Sequence, residues 1–195
     1  MKYSLITILS LVLYSCSDNY QELRQDMFIQ KHFNREQSKD LAKIVRFFDE
    51  KVCTTTGREG IQGLICYRDW FDMAISDTTH SIPLQLSKEA QWEFSNSLLK
   101  ESIGSIWRIK SPSKTGLYKE LPQLKLYPGS PYMKWLKVFS EDDGSIKKYY
   151  TAILNEGIDA TKTRAIFGDN YSQWPVSDPR YRLIIAIDRL TLNSM

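Results

Sequence analysis

The chain has 195 residues, a formal net charge of +3, 42% hydrophobic residues and 25% charged residues. That length allows one domain with a real core, and the composition excludes a disordered, collagen-like or low-complexity chain. The weak positive excess argues neither for nor against an anionic partner, and no nucleic-acid partner is expected.

Leu5–Cys16 is an apolar run behind the single positive charge of Lys2. It is too short to persist as a transmembrane helix. It has the length and flank of a secretory signal. The run closes on Leu13-Tyr14-Ser15-Cys16, which resembles the lipobox of bacterial lipoproteins. In that family the cysteine thiol receives a diacylglycerol, the chain is cut just before it, and the new amino terminus is acylated. The resemblance implies a signal peptide over 1–15, lipidation at Cys16 and a bacterial cell-envelope address, with the membrane as first partner. Cleavage would remove Lys2 and lower the formal charge from +3 to +2. The competing reading is an ordinary signal peptide with a stray cysteine nearby. Ser17-Asp18 resembles the start of a surface-export signal used by some Gram-negative lipoproteins. In other bacteria an aspartate there retains the protein at the inner membrane. The outer membrane or cell surface is favoured, with the inner membrane left open.

Residues 16–34 read as a lipidated N-terminus and tether, polar at first, then carrying Met27, Phe28, Ile29 and Phe33 to dock its far end. Its first fifteen residues, fully extended, would reach about 50 Å. A helical domain is expected over 35–195. Arg35–Val52 has Leu41, Ile44, Val45, Phe48 and Val52 at the spacing of one buried helical face. Asn34 and Gln37 resemble a capping box in front of it. Leu64–Ser76 repeats the pattern with Tyr67, Trp70, Phe71, Ala74 and Ile75.

If Cys16 carries lipid, Cys53 and Cys66 remain as an even pair. The compartment is then oxidising, and a bridge is favoured over two thiols. Gly57, Gly60 and Gly63 let the connection turn back. The bridge would staple the two helices into a hairpin and contribute about 3 kcal/mol.

Pro83 breaks any helix in 77–86. Ser87 caps a predicted helix over Lys88–Ile103, with Ala90, Phe94, Leu98 and Leu99 in the core. Ile106–Lys110 and Leu124–Tyr127 have mixed periodicity and suggest a short two-stranded hairpin within 105–127. Ser130-Pro131 is a cap followed by proline at the first helical position. Tyr132, Trp135, Leu136 and Phe139 form the face that follows. After Asp142-Asp143-Gly144, a second face comprises Ile146, Tyr149, Tyr150, Ile153 and Leu154, and Gly157 terminates it. Asp159–Phe167 reads as a short helix closed by Gly168. Asp178-Pro179 opens the last helix, apolar on more than one side and therefore central. Asp188 interrupts its apolar run and needs a partner if buried; Arg182 or Arg189 is the candidate. The fold class is mainly α: one compact bundle of about five or six helices.

Chemistry is sparse. His32 and His80 are the two histidines, and neither has a nucleophile or metal signature around it. No metal or cofactor is expected. The glycines of 57–63 lack the strand and Lys-Ser/Thr of a phosphate loop, so a flexible loop is the better reading. Asp49-Glu50 and Asp69/Asp72 put carboxylates on the two stapled helices. They would suit glycoside hydrolysis, although solvated helix faces carry such residues routinely. Five tryptophans and eleven tyrosines could stack on sugars, but most sit on the apolar stripes, where core packing accounts for them. Arg108, Lys110, Lys114, Lys119 and Lys125 oppose a single acid, Glu120. They read as a solvated loop or a face toward anionic headgroups or a polyanionic glycan.

Phe47-Phe48-Asp49, Tyr67 with Phe71, and Ile106-Trp107 are loosely similar to small helical lipoproteins of unassigned role. That resemblance implies no activity and no site residues. The function expected is a lipid-anchored envelope binding or interaction protein of immunity or accessory type, with a protein or glycan partner. The alternative is an envelope polysaccharide hydrolase using the helix-borne carboxylates.

Overall fold

The computed structural model describes residues 19–58, 64–76, 84–111, 121–158 and 174–194. These residues form nine helices and one two-stranded antiparallel sheet. The helices are α1 (Asn19–Gln25), α2 (Met27–Gln30), α3 (Arg35–Thr55), α4 (Leu64–Ser76), α5 (Lys88–Asn96), α6 (Lys100–Gly104), α7 (Pro131–Asp142), α8 (Gly144–Glu156) and α9 (Pro179–Asn193). Strands β1 (Trp107–Lys110) and β2 (Gln123–Leu126) pair with Trp107 opposite Leu126 and Lys110 opposite Gln123. The mainly helical class and the short hairpin are as the sequence pattern implies. Leu5–Cys16, His80, Pro83, Gly60, Gly63, Lys114, Lys119, Glu120 and the expected helix Asp159–Phe167 lie outside the described residues.

Helix starts follow their sequence signals. The Asn34 side chain accepts the Gln37 N–H, and the Gln37 side chain answers the Asn34 N–H, which closes the capping box of α3. Ser87, Ser130 and Asp178 cap α5, α7 and α9 through their side-chain oxygens. Asp143 caps α8 by accepting from the Ser145 and Ile146 N–H groups. Gly157 ends α8 at φ +76°, where L side chains are strained.

Helix α9 lies at the centre. Leu183–Ile187 and Leu190 are fully buried, which fits a helix without a polar face. It packs along α3 and against α1 and β2. Its last turn is satisfied from outside: Gln91 donates to the Leu190 carbonyl at 2.6 Å, and Ser194 bridges both main-chain polar groups of Leu124. The Trp107 indole donates to the Thr191 hydroxyl at 2.8 Å. Cys53 and Cys66 are disulfide-bonded with their Cα atoms 4.9 Å apart, so α3 and α4 form the stapled hairpin.

Some expectations change. Residues 16–34 were expected to be a tether docked at its far end. Its far end is docked through the buried Ile29 and Phe33, and docking begins earlier than expected, with helix α1 from Asn19 and Leu23 also buried. Tyr20 and Leu23 stand three apart and present one short face to α3. The expected helix Lys88–Ile103 is two helices, broken at 97–99. Leu99 has extended backbone and no side-chain cap of its own, and Asp40 on α3 accepts its N–H at 2.9 Å. The break turns Leu98 inward and leaves Leu99 exposed, contrary to its expected core position. Leu154 was also expected in the core and is 51% exposed.

Candidate functional site

The carboxylates proposed for hydrolysis do not form an open pair. Asp49 is buried, not solvated. It accepts from Tyr67 at 2.8 Å and Tyr20 at 3.1 Å, and it pairs with the Arg182 guanidinium of α9. Burial pushes its carboxyl pKa up, against the opposing pull of Arg182 and the two phenols. Burial and then the Asp49 charge push Tyr20 up to about 12. Glu50 is exposed and bonded to Arg46 one turn earlier. Asp69 is bonded to Arg58, and Asp72 faces solvent. Three of the four are bonded to arginines, and one of those three, Asp49, is locked inside.

A second buried acid lies further along α9. Asp188 accepts from Tyr149 at 3.1 Å and lies 3.0 Å from the Arg189 guanidinium. Tyr132 belongs to the same cluster; burial, then the Asp188 charge, raises its hydroxyl pKa. Of the two arginines that Asp188 was expected to recruit, Arg189 serves it and Arg182 serves Asp49. Both clusters are internal and act as structural joints.

The other candidates separate. His32 holds its Nδ1 3.1 Å from the Phe28 carbonyl oxygen. Arg108 stands opposite Lys125 on the β-ribbon and stacks on Tyr127 at 3.8 Å, so two members of the basic segment share one exposed ribbon face. Among the described residues there is no cluster of three metal-ligating side chains, and no helix is long and apolar enough to cross a membrane.

What the sequence pattern missed is a cleft of about 280 Å³ between the end of β2, α7, the end of α8 and α9. Leu126, Pro128, Met133, Ile153 and Leu154 line it, with Lys125 contributing a cation. Thr191 also lines it, but its hydroxyl is occupied, accepting from Trp107 and donating to the Ile187 carbonyl. The one advance signal was Leu154, an apolar residue at the end of the α8 stripe just before the Gly157 terminator. Such a cleft can take an apolar side chain next to an acidic group; its described lining has no carboxylate, histidine or thiol.

Compared with known proteins, the chain matches no family model, no curated protein and no solved structure.

Proposed function

We propose that this chain is a lipid-anchored binding protein of the bacterial cell envelope, tethered through Cys16 and engaging a protein partner at the cleft beside α9. The observation that carries the binding reading is the chemistry of that cleft. Its described lining is apolar, with one cation and no carboxylate, histidine or thiol. The occupied states of Asp49, Glu50 and Asp69 favour binding over polysaccharide hydrolysis. The order of Lys2, the apolar run, Ser15 and Cys16 supports the anchor.

The anchor is tested by labelled fatty acid: wild type takes it up, and Cys16→Ala does not. Continued labelling of Cys16→Ala would refute the lipid site. The cleft is tested with a photo-crosslinking residue in cells. Position Leu154 should give a discrete envelope-protein adduct, and exposed Lys137 should not. Equal adducts at both positions would refute the cleft. Hydrolysis of envelope glycan by the purified protein, lost in Asp69→Asn or Asp72→Asn, would replace binding by catalysis.

A further inference from the structure

Helix begins at Asn19, three residues after Cys16. Whatever its conformation, so short a stretch spans no more than about 11 Å between Cα atoms. If Cys16 carries lipid, the folded body hangs within about one helix diameter of the bilayer rather than on a 50 Å leash. The elements nearest the anchor in the chain are α1 and α2, and their outer surface suits a membrane. Met27 is 75% exposed and Phe28 is 42% exposed. The Lys31 ammonium sits over the Phe28 ring at 5.3 Å. Beside them a groove of about 670 Å³ runs between α1, α2 and the start of α3, lined by Arg24, Gln30, Phe33, Arg35 and Lys39 among others.

Along 19–34 Glu22 and Asp26 match Arg24 and Lys31 in number, but the groove is lined by Arg24, Arg35 and Lys39 and by no carboxylate among the described residues. Among the described residues no carboxylate pairs with Arg24, Lys31 or Arg35, whereas Glu36 is taken by Lys39 and Asp26 faces Arg180. Exposed apolar side chains next to unpaired cations fit the headgroup boundary of an anionic bilayer.

We infer that the α1–α2 face lies on the membrane, with Met27 and Phe28 entering the headgroup layer and the Arg24/Arg35 groove receiving lipid phosphate. This rests on the lipid anchor at Cys16. It also sets the orientation of the body. Asp26 lies 3.7 Å from Arg180 at the start of α9, whereas α5 is bonded to Leu190 ten residues further on. Arg35 opens α3, and Thr55 near its other end, about 30 Å away along the helix, accepts the Gln85 N–H four residues before Glu89, so the start of α5 is held away from the groove.

The test uses the full chain purified from bacterial membranes and placed in vesicles of brominated phosphatidylcholine and phosphatidylglycerol in equal parts. Acyl mass on the protein is read first. Tryptophan emission is then compared for Met27→Trp and for Glu89→Trp on α5, each after subtracting the wild-type signal. Bromine should quench the first at least about twofold more than the second, because only the first reaches the headgroup boundary. Adding Arg24→Glu and Arg35→Glu to Met27→Trp should lower that quenching by about half or more as the cations are reversed. Acylated protein with equal quenching at both positions would overturn the docking and leave the anchor standing. Quenching unchanged by the charge reversals would overturn the phosphate seat. Protein without acyl mass would overturn the anchor and the docking together.

Discussion

The two acid–arginine clusters both draw their arginine from α9 and are built in different ways. Asp49 belongs to α3 and gathers Tyr20 from α1, Tyr67 from α4 and Arg182 from α9. Asp188 takes its arginine from the next residue in sequence, and its phenol from α8. The first joins four elements through one carboxylate, whereas the second links α9 to α8 through Tyr149, with Tyr132 of α7 beside them. A buried ion is costly unless its remaining lone pairs are met, and Asp49 meets them with donors that only the finished fold brings together. Its stability contribution is thus bound up with the assembly of the whole N-terminal half.

The sharpest way to test that difference is to neutralise each acid without changing its shape. Asp49→Asn leaves Arg182 buried beside an amide, and should cost about 3–5 kcal/mol in urea unfolding. Replacing both partners, Asp49→Leu with Arg182→Met, should recover most of it, since apolar groups of similar volume often substitute well for a buried pair. A cost below about 1 kcal/mol for Asp49→Asn would show that the cluster is not a joint.

Next in size is Cys53→Ser. The bridge holds α3 and α4, which carry Asp49 and Tyr67, and its loss should cost about 3 kcal/mol. Reduction of wild type should lower Tm similarly, and reduction of the variant should add nothing. Two titratable thiols in denatured, envelope-expressed protein would contradict the bridge. Asp188→Asn should cost less, about 1–3 kcal/mol, because Tyr149 keeps an acceptor and the arginine that loses its charge partner is the next residue on the same helix. An Asp188→Asn loss equal to that of Asp49→Asn would erase the distinction between the clusters.

The smallest effect concerns carboxylates outside both clusters. Burial raises Asp40, but hydrogen bonds from Lys43 and the Leu99 N–H outweigh it, and its pKa lies below the ordinary 3.8. Burial likewise raises Asp143, and Tyr181 with the α8 amides brings it below 3.8. A lowered folded-state pKa means stability that is present above the unfolded value and is lost as pH falls through the folded one. Urea midpoints should therefore drop as pH falls below about 4, and Asp40→Asn should flatten part of that slope. An unchanged slope would remove Asp40 from the acid response.

Much of this architecture was legible because its signals are local. Cap and proline stand beside each other at Ser130-Pro131 and Asp178-Pro179, and the α3 stripe repeats five times within its own length. The Cys53–Cys66 bridge was legible from parity and a turning connection. What stayed hidden depends on partners far away in the chain. Asp49 looked like a surface carboxylate because Arg182 is 133 residues distant. The break before α6 was hidden because its cap, Asp40, is 59 residues from Leu99. Helix α1 shows only Tyr20 and Leu23 as apolar anchors, too few to mark a helix without α3 beneath it. The cleft was hidden because a gap between four elements leaves no pattern in any one of them.

The position of α9 has a consequence for how the protein is made. Everything it packs against, α1, α3 and β2, is synthesised before it. Until residues 179–193 arrive, the faces of these elements that meet α9 stay uncovered, and Arg182 is not there to pair with Asp49. Domains generally complete folding only when their last core element is available. The core around α9 is therefore completed only after residues 179–193 have been made.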